Sequence, residues 1–176
     1  MHGRSDRRRA RPRAPSAPLE LRIESLAKGG EGVAHAPDGR VVFVAFTAPG
    51  DLVRVAITAQ HERWLRGEVV ELLEPGPGRT DPLCPVFGIC GGCDWQHVDY
   101  AVQLDAKRRI LADAIERIAR VPLPGSFEFR ASPSPYGYRG RARVAARRGR
   151  VGFRRRHSHA VSATSRCPVL VPALDA

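Results

Sequence analysis

The sequence predicts a mainly β protein with an α+β second part: a small closed five-stranded barrel, a cysteine-containing loop, one helix and an incomplete antiparallel sheet. Short alternating apolar and polar runs follow one another from Leu19. Glycine and proline are frequent, with 17 and 15 of the 176 residues, so turns should be common. One longer stretch, after Asp99, has helical periodicity.

The first segment, residues 1–16, has a different composition from the rest. It begins "MHGRSDRRRARPRAP", which contains six arginines and almost no apolar side chain. Such a segment cannot bury enough surface to offset its ordering entropy, so we expect a disordered tail, either simply solvated or an auxiliary nucleic-acid-binding arm.

Residues 17–76 should form the barrel. The run "LELRIESL" alternates like a half-buried strand, and "GVAHA", "RVVFVAF", "DLVRVAITA" and "RGEVVELLE" supply four more. Asp38 and Gly39 form a hairpin signal between two of these runs, and Pro49 and Gly50 mark the next turn. Five short strands in so few residues favour a small closed barrel.

The remaining chain divides into three parts. Residues 77–97 contain a proline- and glycine-rich linker and the cysteine loop, and residues 98–121 should form a helix capped by Asp99. Four apolar residues fall on one helical face: Leu104, Leu111, Ile115 and Ile118. Residues 122–176 then indicate two or three strands of a partial central domain.

The four cysteines point to a metal centre. Cys84, Cys90 and Cys93 are spaced C-x5-C-x2-C in "CPVFGICGGC", and Cys167 follows after 73 residues. Three ligands on one glycine-containing loop with a remote fourth resemble the spacing of plant-type ferredoxins, which favours an iron–sulfur cluster. Structural zinc more often uses two separate pairs of ligands, so zinc is a weaker alternative, as are unliganded or redox-active thiols.

The basic composition predicts a polyanionic partner. The 29 Lys and Arg against 18 Asp and Glu leave a net charge of +11. Nine of the residues in 139–156 are arginine and none is acidic. In an extended strand Arg139, Arg141 and Arg143 would share one face at intervals of about 6.6 Å, a row that suits an RNA backbone. A solvated sheet face in an arginine-rich proteome is the competing interpretation.

Several of these segments resemble the cluster-containing RNA (uracil-5-)-methyltransferases that modify ribosomal or transfer RNA. The likeness rests on "CPVFGICGGCDWQHVDYAVQLDAKRRIL", "YRGRARVAARRGRVGFRRRHSH" and "CPVLVP", and it extends over residues 17–176. The barrel resembles a TRAM domain, a relative of the oligonucleotide-binding fold. By this likeness Cys84, Cys90, Cys93 and Cys167 are the ligands of a [4Fe–4S] cluster.

The resemblance also suggests RNA contacts in the arginine-rich region. Tyr138, Arg139, Phe153 and Arg154 are candidates by likeness, with aromatic rings available for base stacking. Arg141 and Arg143 join them as members of the alternating row. Lys28, in the glycine-rich turn "KGGEG", is a further candidate on the barrel.

After this region, members of this family carry a domain that binds S-adenosylmethionine and contains a nucleophilic cysteine. We find neither the cofactor site nor the nucleophile in this sequence. No catalytic residue is assigned, and S-adenosylmethionine is expected only if a separate catalytic domain or subunit supplies its site. We therefore expect an RNA-binding, cluster-carrying N-terminal portion that is not catalytic alone. A stand-alone RNA-binding adaptor, a subunit of a split enzyme and a zinc-ribbon RNA binder remain alternatives, as does a redox rather than structural cluster.

No run of residues approaches the length of an apolar membrane span, and no apolar segment follows the basic N-terminus as a secretory signal would require. We expect no membrane partner and a reducing, cytoplasmic compartment, where clustered cysteines more often bind metal than form disulfides.

Overall fold

The structure is a computed structural model that describes residues 17–123, 127–147 and 149–175. The predicted tail at residues 1–16 lies outside the described residues. None of the described helices is both long and apolar enough to cross a membrane.

The first part is a β-barrel built from six strand segments. These are β1 (Leu19–Arg22), β2 (Ser25–Leu26), β3 (Gly32–His35), β4 (Val41–Val44), β5 (Leu52–Gln60) and β6 (Trp64–Glu74). They are hydrogen-bonded in the order β1-β5-β6-β4-β3-β2, with β4 and β6 parallel and the other pairs antiparallel. Because β1 and β2 are consecutive in the chain and lie at the two edges of this order, the sheet closes on itself.

The closure depends on a bend in the first predicted strand. Ile23 N–H donates to the carbonyl of Asp51 at 2.8 Å, and Glu24 N–H donates to the carbonyl of Val33 at 2.8 Å. The segment therefore pairs first with β5 and then with β3. The predicted barrel is confirmed, with its first strand divided into two short ones.

Alternation along the strands fills the barrel. Val42 and Val44 of β4 and Val53 and Val55 of β5 are fully buried, and the rest of this cluster contains Leu21, Ile23, Ala34, Ala36 and Leu65. Gly32 is needed where β3 passes the end of β4, because a Cβ there would collide with Thr47 Oγ1. The alternation that predicted the strands thus also determines which side chains form the core.

The predicted helix starts where its sequence indicated. Helix α1 spans Tyr100–Asp113, and Asp99 caps it by accepting a hydrogen bond from Ala101 N–H at 2.9 Å. It continues as a wider π-helical turn at Ala114–Ile118. The apolar face is less buried than its periodicity suggests: Ile118 is 79% exposed, and Ala106 is the buried residue of α1.

A second, three-stranded antiparallel sheet follows, with the order β7-β8-β9. Its strands are β7 (Ala145–Arg147), β8 (Arg150–Arg154) and β9 (Val161–Ser162). The predicted strand through Arg139, Arg141 and Arg143 is wrong, since regular pairing begins at Ala145. Within the described part, Arg139 makes one isolated bridge with Leu170. Alternation alone does not make a strand when no neighbouring strand runs beside it.

Candidate metal centre and nucleic-acid interface

The cysteine loop is a succession of tight turns. Phe87 N–H donates to the Cys84 carbonyl at 3.1 Å, and Cys90 N–H donates to the Val86 carbonyl at 2.9 Å. Gly88, between these turns, has a φ of 81°, which glycine adopts without strain. These turns fold the x5 gap back on itself and so bring Cys90 towards Cys84.

The loop is fixed to the second sheet by backbone hydrogen bonds. Gly91 N–H donates to the carbonyl of Arg154 at 2.9 Å, and Arg156 N–H donates to the carbonyl of Ile89 at 3.0 Å. Cys90 and Arg155 form an antiparallel bridge between them. The loop therefore pairs with the end of β8 and with the two residues that follow it, which the sequence did not indicate.

Cys167 reaches the loop through a turn of its own. Leu170 N–H donates to the Cys167 carbonyl at 2.9 Å, and the Asp175 carboxylate accepts a hydrogen bond from Cys167 N–H. Residues 168–170, which follow Cys167, are buried. The Gly137 N–H donates to the Pro168 carbonyl at 2.9 Å. This pairing holds the remote cysteine beside the other three.

All four cysteine side chains line one small cavity. The remaining lining residues are Val86, Phe87, Gly92, Gln96, Arg139, Phe153 and Thr164. Each cysteine is half-buried and free of disulfides. The structure thus brings together the four residues predicted as ligands, although no group of three or more His, Cys, Asp or Glu side chains among the described residues is arranged to hold a metal ion.

Burial makes two of the four thiols, Cys90 and Cys93, harder to ionise. Burial raises the pKa of the Cys90 thiol, and the neighbouring thiols of Cys84, Cys93 and Cys167 add to this effect. Burial also raises the pKa of the Cys93 thiol, against which the Arg139 guanidinium acts in the opposite direction. Four thiolates in one cavity therefore call for additional positive charge, which a bound metal supplies.

Gln96 is a buried polar residue on the cavity wall that sequence reasoning missed. Its Oε1 accepts a hydrogen bond from Cys84 N–H at 3.2 Å. Its Nε2 is buried and makes no hydrogen bond of good geometry among the described residues. Gln96 nevertheless lies within hydrogen-bonding reach of the Cys93 thiol and acts to lower the pKa of that thiol against the effect of burial. An unpaired buried donor is costly, so this amide is suited to a sulfur acceptor in the cavity. No spacing rule distinguishes such a glutamine in advance.

A groove beside the cavity collects five of the predicted RNA contacts. We call it the basic groove; Arg139, Arg141, Arg143, Phe153 and Arg154 line it, together with Gly91, Gly92, Ala142, Val144, Ala145 and Ala146. It has a volume of about 600 Å³ and is open to solvent. None of these described lining residues is acidic. Arg139, Gly92 and Phe153 also line the cysteine cavity, so the two sites share a wall.

The other two predicted contacts lie outside the groove. Tyr138 is 55% exposed and lines a separate depression with Trp95 and Tyr136. Lys28 is exposed in its turn on the barrel. Gly30 in the same turn lies so close to the Trp95 indole that a Cβ would come within 2.8 Å of its Nε1. Lys28 is therefore not among the residues that line the basic groove.

The barrel and the cysteine loop meet at an interface formed by Phe46, Asp51, Arg79, Phe87 and His97. Asp51 is fully buried and pairs with Arg79 at 2.6 Å. Its carboxylate also accepts hydrogen bonds from Ala48 N–H at 2.7 Å and Gly76 N–H at 2.8 Å. Burial alone would raise the pKa of this carboxyl, but these hydrogen bonds hold it below its usual range. We call this set the barrel–loop interface.

His97 fills the centre of the barrel–loop interface. Its Nε2 lies 3.0 Å from the Thr47 carbonyl, and the Phe87 and Phe46 rings lie 5.4 and 6.2 Å away between ring centres. Burial lowers the pKa of the imidazole. Its Nδ1 has no hydrogen-bond partner in the described part of the chain. A neutral histidine therefore joins the two regions.

Comparison with known proteins gives consistent results. Residues 17–70 match the TRAM domain. An uncharacterized RNA methyltransferase of Thermosynechococcus vestitus is 42% identical over 163 residues, which is 90% of this chain and 36% of that protein. The 23S rRNA (uracil(1939)-C(5))-methyltransferase RlmD of Halomonas elongata is 39% identical over 161 residues, 89% of this chain and 33% of that protein.

A solved structure agrees with these relatives. The Pyrococcus abyssi tRNA (uracil-54, C5)-methyltransferase, in complex with S-adenosyl-L-homocysteine, matches with a TM-score of 0.59 and 25% identity, over 87% of this chain and 33% of that one. The chain spans about a third of the length of the curated relatives it matches. By its TRAM domain, its sequence relatives and its fold, the chain belongs to the RNA (uracil-5-)-methyltransferase family.

Proposed function

We propose that this chain is the RNA-binding, [4Fe–4S]-carrying N-terminal portion of an RNA uracil-C5 methyltransferase that acts on ribosomal or transfer RNA. The observation that carries the proposal is that three thiols of one loop and the remote Cys167 line one cavity, which shares a wall with an arginine-lined groove. The proposal includes a reducing cytoplasmic compartment, in which clustered cysteines bind metal more often than they form disulfides.

The residues around the cavity suit an iron–sulfur cluster. Cys84, Cys90, Cys93 and Cys167 would each supply one thiolate, and the Gln96 Nε2–H is available as a hydrogen-bond donor to sulfur. If a protein thiolate bound each iron, the cluster would act as a structural cross-link and no iron would be open to substrate. The thiolates link the loop after the barrel to the segment around Cys167.

The same geometry favours a cluster over a single zinc ion. Zinc requires four donors directly around one centre. Here three of the candidate ligands lie on one loop and the fourth on a remote segment, and all four cysteines line one cavity. A multi-iron cluster separates its ligands, because each thiolate binds a different iron.

In this proposal the basic groove receives the RNA backbone. Its arginines offer forked donors to phosphate, and Phe153 offers an apolar ring to a base. Methyl transfer from S-adenosylmethionine belongs to a catalytic domain corresponding to the part of the relatives that this chain does not match. That domain is supplied in the same polypeptide or as a separate subunit, and this chain positions the RNA for it.

Metal analysis of the full chain, purified without oxygen, tests the cluster. We expect about four iron and four sulfide per chain, a brown protein, and an electron paramagnetic resonance signal after reduction. Cys90→Ser should lose most of the iron, while Ile89→Ala, a change at an exposed neighbour, should retain it. Stoichiometric zinc with no iron, or full iron retention in Cys90→Ser, would contradict the assignment.

Charge reversal tests the groove. Replacing Arg139, Arg141 and Arg143 by Glu should weaken binding of single-stranded RNA and lower the salt-dependence slope by about 2, since fewer counterions are released. The matched control reverses three exposed arginines that do not line the groove, Arg63, Arg147 and Arg166. Equal losses in both triple variants would mean that net charge, rather than this groove, binds the RNA.

A further inference from the structure

A second depression shares Arg139 and Gly92 with the basic groove. Three aromatic side chains line it, Trp95, Tyr136 and Tyr138, and Lys107 of α1 contributes a cation. Its volume is about 210 Å³. We call it the aromatic slot. The proposed function does not use it, because the cluster and the phosphate contacts are both accounted for elsewhere.

Backbone hydrogen bonds hold two walls of the aromatic slot in place. Gly137 has a φ of 66°, and its N–H donates to Pro168, so the two tyrosines are carried on a fixed turn. Arg139 N–H donates to Val169 at 2.8 Å on the same segment. The backbone that carries the two tyrosines is thus fixed before any ligand arrives, which reduces the entropy cost of binding.

The third wall is anchored to the helix. Gln103 Nε2 donates to the backbone carbonyls of Trp95 at 3.1 Å and Val98 at 2.9 Å. Trp95 also packs against the cluster of Leu26, Ala48, Val98 and Ala106. It remains only partly buried and lines the aromatic slot.

The two cations beside the aromatic slot favour a ligand that combines an aromatic ring with a neighbouring phosphate. The Lys107 ammonium lies 5.5 Å from the centre of the Trp95 ring, and the Arg139 guanidinium carbon lies 5.9 Å from the centre of the Tyr138 ring. Asp94 is the acidic residue among the described lining residues, and Arg156 neutralises it. Tyr138 exposes more than half of its surface, which leaves a ring available for stacking.

We propose that the aromatic slot binds one unpaired nucleobase of the RNA strand whose phosphates occupy the basic groove. This inference rests on the proposed RNA-binding function. A base within a duplex presents only its edges, so a slot lined by ring faces selects a single-stranded segment or a base turned out of its stack. Arg139, which lines both sites, then contacts the sugar–phosphate link between the backbone and the bound base.

Fluorescence of Trp95 tests the inference directly. The chain has two tryptophans, so Trp64→Phe leaves Trp95 as the only one. Titration with oligouridylate of about ten nucleotides should quench this emission, and an abasic ribose-phosphate strand of the same length should not. Equal quenching by both strands, or quenching by neither while oligouridylate still binds, would overturn the proposal.

Affinity measurements with matched variants separate this proposal from the function it rests on. Tyr138→Ala should lower the affinity for oligouridylate about 5- to 100-fold and leave abasic-strand binding unchanged, whereas Tyr138→Phe should retain both. Arg141→Gln should weaken both probes. If Tyr138→Ala has no effect while Arg141→Gln weakens both, the slot proposal fails and RNA binding stands. Failure of the wild-type chain to bind either probe overturns both.

Discussion

The barrel and the chain that follows it are stabilised in different ways. The barrel has a continuous core in which Val42, Val44, Val53 and Val55 are fully buried. The burial of each such side chain contributes about 1.5–3 kcal/mol to the stability of the fold. In the described part of 75–175 the other hydrophobic cluster is not independent. There Val98 and Ala106 pack against Leu26 and Ala48, which belong to the barrel region.

In the proposed function this difference accounts for the position of the four cysteines in the second region, which has little core of its own. The second region is held by backbone bridges, by ion pairs and by contacts with the barrel, and it carries exposed apolar residues such as Val151 and Ile118. Small units with little core usually need a cross-link such as a disulfide or metal. In the proposed function the cluster provides that cross-link, so metal binding and folding of this region are coupled.

Removal of a ligand of the proposed cluster should have the largest effect on the difference in stability between the two regions. Cys90→Ser should unfold much of residues 84–175, because the thiolate that joins the loop to the metal is removed. The barrel core should remain intact, since no cysteine lies within it. Hydrogen–deuterium exchange followed by peptide mass analysis should show rapid exchange in β8 and around Val169, with protection retained in β4 and β5.

Ile89→Ala again provides the control, because it changes the same loop without removing a thiol. Unchanged protection of β8 in iron-free Cys90→Ser protein would mean that the second region folds without a cluster. The contrast between the two regions would then need another explanation.

The next change acts on the connection between the regions. Asp51→Ala removes the buried carboxylate and leaves Arg79 without its partner, which should lower the free energy of unfolding by about 3–5 kcal/mol. Arg22→Ala is the matched control, because its ion pair with Glu74 is exposed and should be worth less than about 1 kcal/mol. Urea denaturation of both variants measures the difference, and equal losses would show that the buried pair does not couple the regions.

A substitution in the barrel core tests whether the two regions are stabilised independently. Ile23→Ala should destabilise the barrel by about 2–5 kcal/mol, because Ile23 is buried where the first strand bends. If the cluster stabilises the second region separately, the folded protein should keep its full iron content. Denaturation monitored by Trp64 fluorescence, together with iron analysis, measures both effects. Loss of iron in the folded variant would indicate that the barrel supports the metal site directly.

Local sequence signals predicted the parts of this structure that local interactions determine. Alternation gave the barrel strands and Asp99 gave the start of α1, because each depends on neighbours within a few residues. The convergence of the cysteines was predicted from their spacing and from a family likeness. Alternation failed at 139–144, because whether a stretch pairs depends on a distant strand.

The barrel–loop interface could not be predicted for the same reason. Asp51 follows Pro49 and Gly50 and looks like an ordinary turn residue, yet it is buried by Arg79, 28 positions away. His97 and Gln96 carry no motif, and their burial depends on how the loop meets the barrel. Long-range packing determines these positions, and a single sequence contains no direct signal for it.

The smallest expected effect is a pH dependence that originates at His97. Burial lowers the pKa of its imidazole in the folded protein, and among the surrounding charges Arg79 acts in the same direction while Asp51 and Asp94 act against it. The unfolded chain therefore binds a proton more readily than the folded one. Stability should be fully present above the ordinary histidine value of 6.5 and should fall as the pH drops below it towards the folded pKa.

His97→Gln tests this origin, because glutamine can still donate to the Thr47 carbonyl but cannot gain a charge. The urea midpoint of the wild-type chain should decrease between about pH 7 and about pH 5, and the midpoint of the variant should decrease less. The difference between the two curves isolates His97 from the carboxylates, which titrate lower in both proteins. Parallel curves would mean that the barrel–loop interface accepts the charged imidazole, and the two regions would then be less tightly joined than the buried contacts of His97 indicate.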